Sequence, residues 1–538
     1  MQKLSAAIVA ALHVLGPASA KPSNFLDHVR HFFGSDDSHA VNGDAVDDAK
    51  CVYDWKSFQC KPEHSCSMHY EFGDTTPSLA CRVNKASSTK NVPQQVHLAF
   101  AGKEAGTGMA ISWTTFNRES QPMVWLGRNA TSLEEMKTAP IDVKSYYRDK
   151  DYELYSYHAT LTGLEPNTVY YYKVGNAQDI SFQSSINSFK TARASGDPSA
   201  FTVAVYGDLG AHDNSVATIQ YVNSVDDKVE FVYHIGDIAY ADNAFLTLEK
   251  VFGFYYEEIY NRFMNSVTPV MQRLAYMVLV GNHESECYSP ACLVSKDKRH
   301  SLGNYTAFNT RFRMPSPESG GVLNMWYSYD YASAHFTSVS TETDYPNAPR
   351  NAHLTSQRYG DFGNQLAWLE ADLKAAHANR NKVPWLIVGM HRPIYCSRSS
   401  DANGNPTDDY DARTVQLAFE DLFIKYKVDL VFQAHVHSYE RMYPIAKGRA
   451  IKEGVSPDKT IYDNPQAPVY VITGSAGGPE GLFQYKNPPS PDWLVIRDNA
   501  RYSISKLTVT PTNLTLTTIA SATGEVYDKF SITKTAPK

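Results

Sequence analysis

Past its first twenty residues the 538-residue chain has no run of about twenty apolar residues, so nothing in the remainder reads as a bilayer-spanning helix. It also lacks an excess of positive charge, with 50 Lys and Arg against 57 Asp and Glu and a formal net charge of −7. That balance gives no basic surface for nucleic acid, and any anionic substrate must be drawn in by local positive charge. Internal repeats and low-complexity tracts are missing, which excludes solenoids and arrays. Charged residues are only 20% and hydrophobic residues 43%, so the chain reads as folded, and its length exceeds one ordinary core.

Cysteine is scarce, 7 in all. Cys51, Cys60, Cys66 and Cys81 cluster, Cys287 and Cys292 lie close together, and Cys396 is left over. In an exported chain this pattern predicts two bridges among the first four, a Cys287 to Cys292 bridge and an unpaired Cys396. A zinc knuckle built from the first four is the alternative.

Export itself is predicted from residues 1–20, MQKLSAAIVAALHVLGPASA, which have an early lysine, a short apolar core and a small-residue end. Cleavage after Ala20 leaves a secreted protein without a membrane span. Sequons at Asn129, Asn304 and Asn513 agree with a glycoprotein. Residues 21 to about 50 are polar, Asp-rich and aperiodic, and read as a flexible leader. With the cysteine cluster they make a segment, 21–88, that precedes the folded domains.

From 89 to 195 short alternating runs such as MAISWTTF, YSYHATLTGL and TVYYYKVG are punctuated by Gly, Pro and Asn, which predicts a β-sandwich. The stretch Leu161-Thr-Gly-Leu-Glu-Pro-Asn-Thr-Val-Tyr170 resembles the late-strand signature of fibronectin type III modules. A scaffold role suits such a module better than a function of its own.

From 196 to 538 the pattern changes. FTVAVYGD, VEFVYHIGD, LAYMVLVGN, PWLIVGMH and VDLVFQAHVH are apolar strands that alternate with stretches of helical period from Gln365 and Thr414. The expected fold class is multi-domain: the N-terminal sandwich, then an α/β domain of mixed sheets flanked by helices, closed by C-terminal hairpins.

Each strand ends in a potential ligand: Asp208, Asp237, Asn282, His391, then His435 and His437, with Tyr240 three residues past Asp237. Singly these are ordinary helix caps or core histidines. Together, at the strand ends where ligands gather in α/β sheets, they fit one shared centre. Seven donors exceed the needs of one small ion and suit two, about 3.5–4 Å apart, with Asp237 as the bridge. A phenolate at Tyr240 requires a strongly acidic cation, which favours ferric iron.

These blocks, GDLG, GDIAYADN, GNHE, VGMHRP and AHVHSYER, resemble in order and spacing the metal-binding blocks of long-form purple acid phosphatases in the metallophosphoesterase superfamily. HRPIYCS is similar to the branch of those long forms that carries HRPxYCS. The resemblance implies Asp208, Asp237, Tyr240 and His437 on Fe(III), and Asp237, Asn282, His391 and His435 on a divalent ion, Zn, Mn or Fe(II). It implies a secreted hydrolase in which metal-bound hydroxide attacks a phosphate monoester, small or on a phosphoprotein, with His283 binding phosphate or protonating the leaving group. A role for His283 in merely orienting a ligand is the alternative. It allows a homodimer, although no cysteine is set aside to link two chains.

Two departures stand out. Residues 392–416 contain no histidine where plant-type members carry a His-His pair, and Tyr395 or Arg398 is the expected substitute. Ala434 takes the place of the usual glycine. A related dinuclear phosphodiesterase, a protein phosphatase and a catalytically weak secreted binding protein are the competing readings. The second block lacks the DRG ending of the protein phosphatases.

Overall fold

A computed structural model of the chain describes residues 89–535 apart from 137–139, 150–151, 225–228, 243–253, 350–358, 402 and 486–489, with short strand fragments between 50 and 82. The predicted signal peptide, the leader and the sulfurs of Cys51, Cys60, Cys66 and Cys81 lie outside the described residues.

The first folded part is built from β1 (Gln94–Ala101), β2 (Gly108–Thr115), β3 (Pro122–Asn129), β4 (Ser132–Glu135), β5 (Ile141–Lys144), β6 (Tyr155–Thr162), β7 (Val169–Asn176) and β8 (Asn187–Lys190). They form two sheets, β5-β6-β2-β1 and β8-β7-β3-β4, sharing one apolar core around Trp113, Tyr157, Tyr172 and Phe189. Tyr170 is buried and its hydroxyl accepts the Glu165 N–H at 3.1 Å, so the ring pins the Pro166 turn as the fibronectin-like signature requires.

The second part begins with parallel strands β9 (Phe201–Tyr206), β10 (Val229–Ile235) and β11 (Ala275–Leu279), with helices α1 (Val216–Asn223) and α2 (Tyr256–Met271) between them. Next come β12 (Tyr327–Tyr331), β13 (Ala334–Ser338), α3 (Gln365–Ala378), β14 (Trp385–Gly389), α4 (Ala412–Lys425) and β15 (Leu430–Gln433). The chain ends with β16 (Tyr439–Ala446), β17 (Val469–Thr473), β18 (Leu494–Asp498) and the antiparallel set β19 (Ser503–Thr510), β20 (Asn513–Ala520) and β21 (Val526–Thr533).

One sheet runs β1-β11-β10-β9-β19-β20-β21 and the other β12-β13-β14-β15-β17-β16, and an aromatic layer of Phe231, Tyr331 and Phe336 lies between them. Their central strands are buried almost throughout and mainly apolar, as strands covered on both faces must be. The front sandwich is not a separate bead: Leu98 of β1 pairs with Ala275 of β11, so its sheet continues into that of the second part. Cys287 and Cys292 are bridged and Cys396 is unpaired and buried.

His335 on β13 fastens this part to α3 and to the linker from the sandwich. Its Nδ1 lies 2.7 Å from Asp330 Oδ1, its Nε2 3.1 Å from Asp372 Oδ2, and Ser195 donates to Asp330. Burial opposes protonation of His335, but Asp372 and Asp330 outweigh it and lift its pKa to about 10. A raised pKa means the clamp contributes fully below about pH 6.5 and is lost as pH climbs through about 10. We expect His335→Asn to lower stability by about 1–3 kcal/mol at pH 6. The gap to wild type should close above pH 10, as denaturant midpoints at the two pH values will show; a gap that persists there would refute the charged clamp.

Candidate metal centre

The five parallel strands end on one rim, and the turns after them carry the polar residues of the centre. Asp208, Asp237, Tyr240 and His435 sit at φ of 59°, 50°, 52° and 67°, a left-handed region that non-glycine residues seldom occupy. Such strain, about 1–3 kcal/mol each, persists only where surrounding contacts over-determine it, and it clusters at functional sites. Here the contacts are visible. Asp237 N–H and Ile238 N–H donate to the Glu284 carboxylate at 3.0 and 2.8 Å, and Gly281 N–H donates to it at 2.8 Å. Glu284 therefore ties the turn after β10 to the turn after β11.

Close backbone approach shapes the same rim. A Cβ on Gly281 would lie 2.3 Å from Asp237 Oδ1, and one on Gly474 would lie 2.7 Å from Asp208 Oδ2. The Ala434 methyl is fully buried opposite Gly207, where an added Cβ would come within 2.6 Å of it. Alanine is accommodated at 434 because residue 207 is glycine.

Two groups of donors result. Tyr240 Oη lies 2.8 Å from His437 Nε2 and 3.2 Å from Asp208 Oδ1. On the other side His391 Nε2 lies 3.0 Å from Asp237 Oδ2 and 3.2 Å from Asn282 Oδ1, and His435 joins Asp237 and His391 with ligand atoms all within 4.8 Å. The two histidines of the AHVH turn thus diverge, His437 toward Tyr240 and His435 toward His391. Asp208, Asp237, Tyr240 and His391 are buried to 1% exposure or less.

The imidazoles are already oriented for ligation. His391 donates through Nδ1 to the Ile235 carbonyl at 3.0 Å, and His437 through Nδ1 to the Gly481 carbonyl at 2.9 Å. Each keeps Nε2 as the atom that faces the carboxylates, the arrangement that ligating histidines use.

Charge makes the same point. Burial, partly offset by His437, raises the Asp208 pKa. Burial and the Asp208 and Asp237 carboxylates push the Tyr240 phenol well above its usual value of 10. Burial opposes protons on His391 and His437, yet Asp237 and Asp208 respectively lift both to about 9. The cluster thus attracts cations: protons in their absence, metal ions when these displace them. Hard oxygen donors beside imidazoles suit iron, zinc and manganese.

His283 stands at the mouth. Its Nδ1 lies 2.8 Å from Asp242 Oδ2, and its Nε2 is 3.6 Å from Glu480 Oε1 and 3.9 Å from Asp237 Oδ2. Burial disfavours its charge, but Asp242 and Asp237 outweigh that and raise its pKa well above 6.5. Sequence reasoning missed Asp242, Glu284, Glu480 and the Gly481 carbonyl. Asp242 was detectable as the second carboxylate of GDIAYADN, whereas Glu480 lies far along the chain.

One expectation is overturned. Tyr395 does not reach the centre: it is fully buried, its hydroxyl donates to Glu420 at 2.5 Å, and its ring packs on Tyr470 and Trp493. The strand-end turn sends it into the apolar core behind the rim, away from substrate. Arg398 is exposed, its guanidinium over the Phe483 ring. Arg392 pairs with Glu342 and Asp411.

Three family models match the chain: the purple acid phosphatase N-terminal domain over residues 93–191, calcineurin-like phosphoesterase over 201–439, and the iron/zinc purple acid phosphatase-like C-terminal segment over 467–529. Acid phosphatase A of Cryphonectria parasitica is 31% identical over 500 residues, covering 83% of this chain and 93% of that protein. Acid phosphatase type 7 of Mus musculus is 32% identical over 423 residues, 75% of this chain and 82% of that one. A solved purple acid phosphatase from yellow lupin seeds shares the fold at 24% identity and a TM-score of 0.64, covering 86% of this chain and 78% of that chain. The strand-end donors, the two-part fold and these relatives converge: the chain belongs to the purple acid phosphatases of the metallophosphoesterase superfamily, and it is an acid phosphatase.

Proposed function

We propose that this phosphatase hydrolyses phosphate monoesters at a dinuclear Fe(III)–M(II) centre, M being Zn, Mn or Fe(II), in a catalytic domain that starts near residue 196. The observation that carries this is the pair of divergent donor groups, with His391 and His437 each fixed through Nδ1 and aimed through Nε2. Asp208, Tyr240 and His437 would hold iron, Asn282, His391 and His435 the divalent ion, and Asp237 would serve both. When bound, the two cations supply the Lewis acidity that activates water and neutralises the phosphoryl oxygens.

The protein's own part is positioning and proton control. Asp242 fixes His283 through Nδ1, leaving Nε2 turned toward Asp237 and the open mouth. A protonated Nε2 there hydrogen-bonds a phosphoryl or ester oxygen and gives its proton to the departing alkoxide. An alkyl ester, with a poor leaving group, needs that proton more than an aryl ester does.

The experiment compares His283→Asn with wild type on an aryl monoester, an alkyl monoester and a diester at about pH 4 to 7, where imidazole and acidified water titrate. We expect kcat to fall by about 10²- to 10⁴-fold on the alkyl monoester and by clearly less on the aryl one. Equal losses on both would remove His283 from proton transfer. Faster diester than monoester turnover by wild type would favour the phosphodiesterase reading.

We also propose secretion after cleavage behind Ala20. Among the described residues no helix is long and apolar enough to cross a membrane. Asn129 lies exposed on the β3–β4 hairpin as a glycan acceptor. Mass spectrometry of the exported chain is expected to find Lys21 at the N-terminus; an intact Met1 would refute the cleavage.

A further inference from the structure

Arg392 follows the strand-end histidine His391 and is itself only 7% exposed. Its Nε donates to Glu342 Oε2 at 2.8 Å and its Nη1 to Asp411 Oδ2 at 2.9 Å. Nη1 also stands 3.4 Å from His435 Nε2, and His435 is one of the three residues of the donor cluster with Asp237 and His391. Among the described residues nothing accepts from Nη2, and that atom is not sealed from solvent.

A role in holding the fold explains the two carboxylates but not the other contact. A cation held by that cluster would stand beside the His435 ring while Glu342 anchors the guanidinium against the same ring, so two positive centres would flank one imidazole. An oxyanion between them relieves that repulsion, and a guanidinium fork matches phosphoryl oxygens.

The two counter-ions differ in a way that fits this. The Glu342 side chain is 2% exposed and that of Asp411 38%, so one is a fixed anchor and the other is open to exchange. The stretch 392–416 has no histidine, and its Arg398 is turned out over Phe483. We propose that Arg392 binds a phosphoryl oxygen of the substrate through Nη2, with Asp411 as its exchangeable counter-ion. This rests on the dinuclear reading given above.

The test is calorimetric titration of inorganic phosphate into the full-length, metal-loaded protein, with both metals counted on each sample. Arg392→Met is expected to weaken phosphate binding by about 10- to 100-fold, with Arg392→Lys in between because the fork is lost but the charge kept. Asp411→Asn is expected to tighten it by about two- to fivefold. Affinity within about twofold of wild type in fully loaded Arg392→Met overturns the proposal. Metal loss with unchanged affinity per loaded centre also overturns it, and leaves Arg392 only the task of orienting His435. Should Arg392→Met fail to fold, unchanged affinity in Asp411→Asn overturns it alone. A wild-type protein that holds two metals but binds no phosphate would instead sink the dinuclear reading on which it stands.

Discussion

Replacing Asp237 with asparagine is expected to strip both cations from the centre and to lower kcat/KM on an aryl phosphate by about 10³-fold or more. The substitution is close to isosteric, and asparagine tolerates the left-handed conformation that residue 237 adopts at φ 50°. The turn is also held from outside the side chain, by Glu284 on the backbone N–H groups of Asp237 and Ile238. What changes is a buried negative charge whose Oδ2 stands 3.0 Å from His391 Nε2 and whose Oδ1 accepts the His283 N–H at 2.9 Å.

An amide offers one neutral oxygen and a pair of N–H donors where two cations would share a negatively charged carboxylate. Proton bookkeeping works the same way: with Asp237 gone, His391 loses the carboxylate that most favours positive charge on that side. Metal analysis and visible absorption check this together. The expected protein is colourless because no iron remains to take the Tyr240 phenolate, and it unfolds at lower temperature because the metals no longer stabilise the native state. Retention of one full equivalent of iron would refute the bridging role of Asp237, while leaving the two donor groups as described.

The strands and their terminal ligands were legible because the signal is local. Five continuous apolar runs, each closed by Asp, Asn or His, encode both burial on two faces and the rim where the site must lie. Divergence of His435 and His437 followed from the turn, and the turn is what the structure has.

What was not legible depends on contacts between distant parts of the chain. Glu284 sits inside GNHE but its task is to hold the turn after β10, 46 and 47 residues earlier. Tyr395 reads as a loop residue because PIYCS has turn character, yet the chain folds it back against Tyr470. Helix α2 was passed over: it carries Pro269, and its buried face mixes Tyr, Asn and Glu with apolar residues. That mixture has a purpose, seen only when the sandwich is docked.

Truncating Glu257 on α2 is expected to be the most destabilising single change away from the metals, because it strands a buried cation. Arg311 has no exposed side-chain surface and Glu257 only 4%. The guanidinium donates to Glu257 at 2.8 Å, to Asn261 at 2.7 Å, to Gln95 at 3.2 Å and to the Tyr146 hydroxyl at 2.8 Å, and lies over the Tyr260 ring. Tyr146 and Tyr152 each donate to Glu257 at 2.6 Å. Three of these partners, Gln95, Tyr146 and Tyr152, come from the front sandwich, so the ion pair is the polar bolt between the two parts.

Removing one member of a buried pair leaves the other desolvated without compensation, at a cost of about 3–5 kcal/mol. Glu257→Ala should lower the denaturant midpoint accordingly, and the folded fraction should keep its metals because none of these residues belongs to the donor groups. The decisive comparison is the double variant Glu257→Ala with Arg311→Met, which removes both charges and fills part of the space. It is expected to recover more than half of the lost stability, since an apolar pair replaces a buried ion pair at little net cost. If instead the single change costs less than about 1 kcal/mol, as at solvated pairs, the network is wetted and the parts are held by apolar contact alone. If the double variant is as unstable as the sum of the two single ones, the charges are not coupled and the bolt is the tyrosine packing around them.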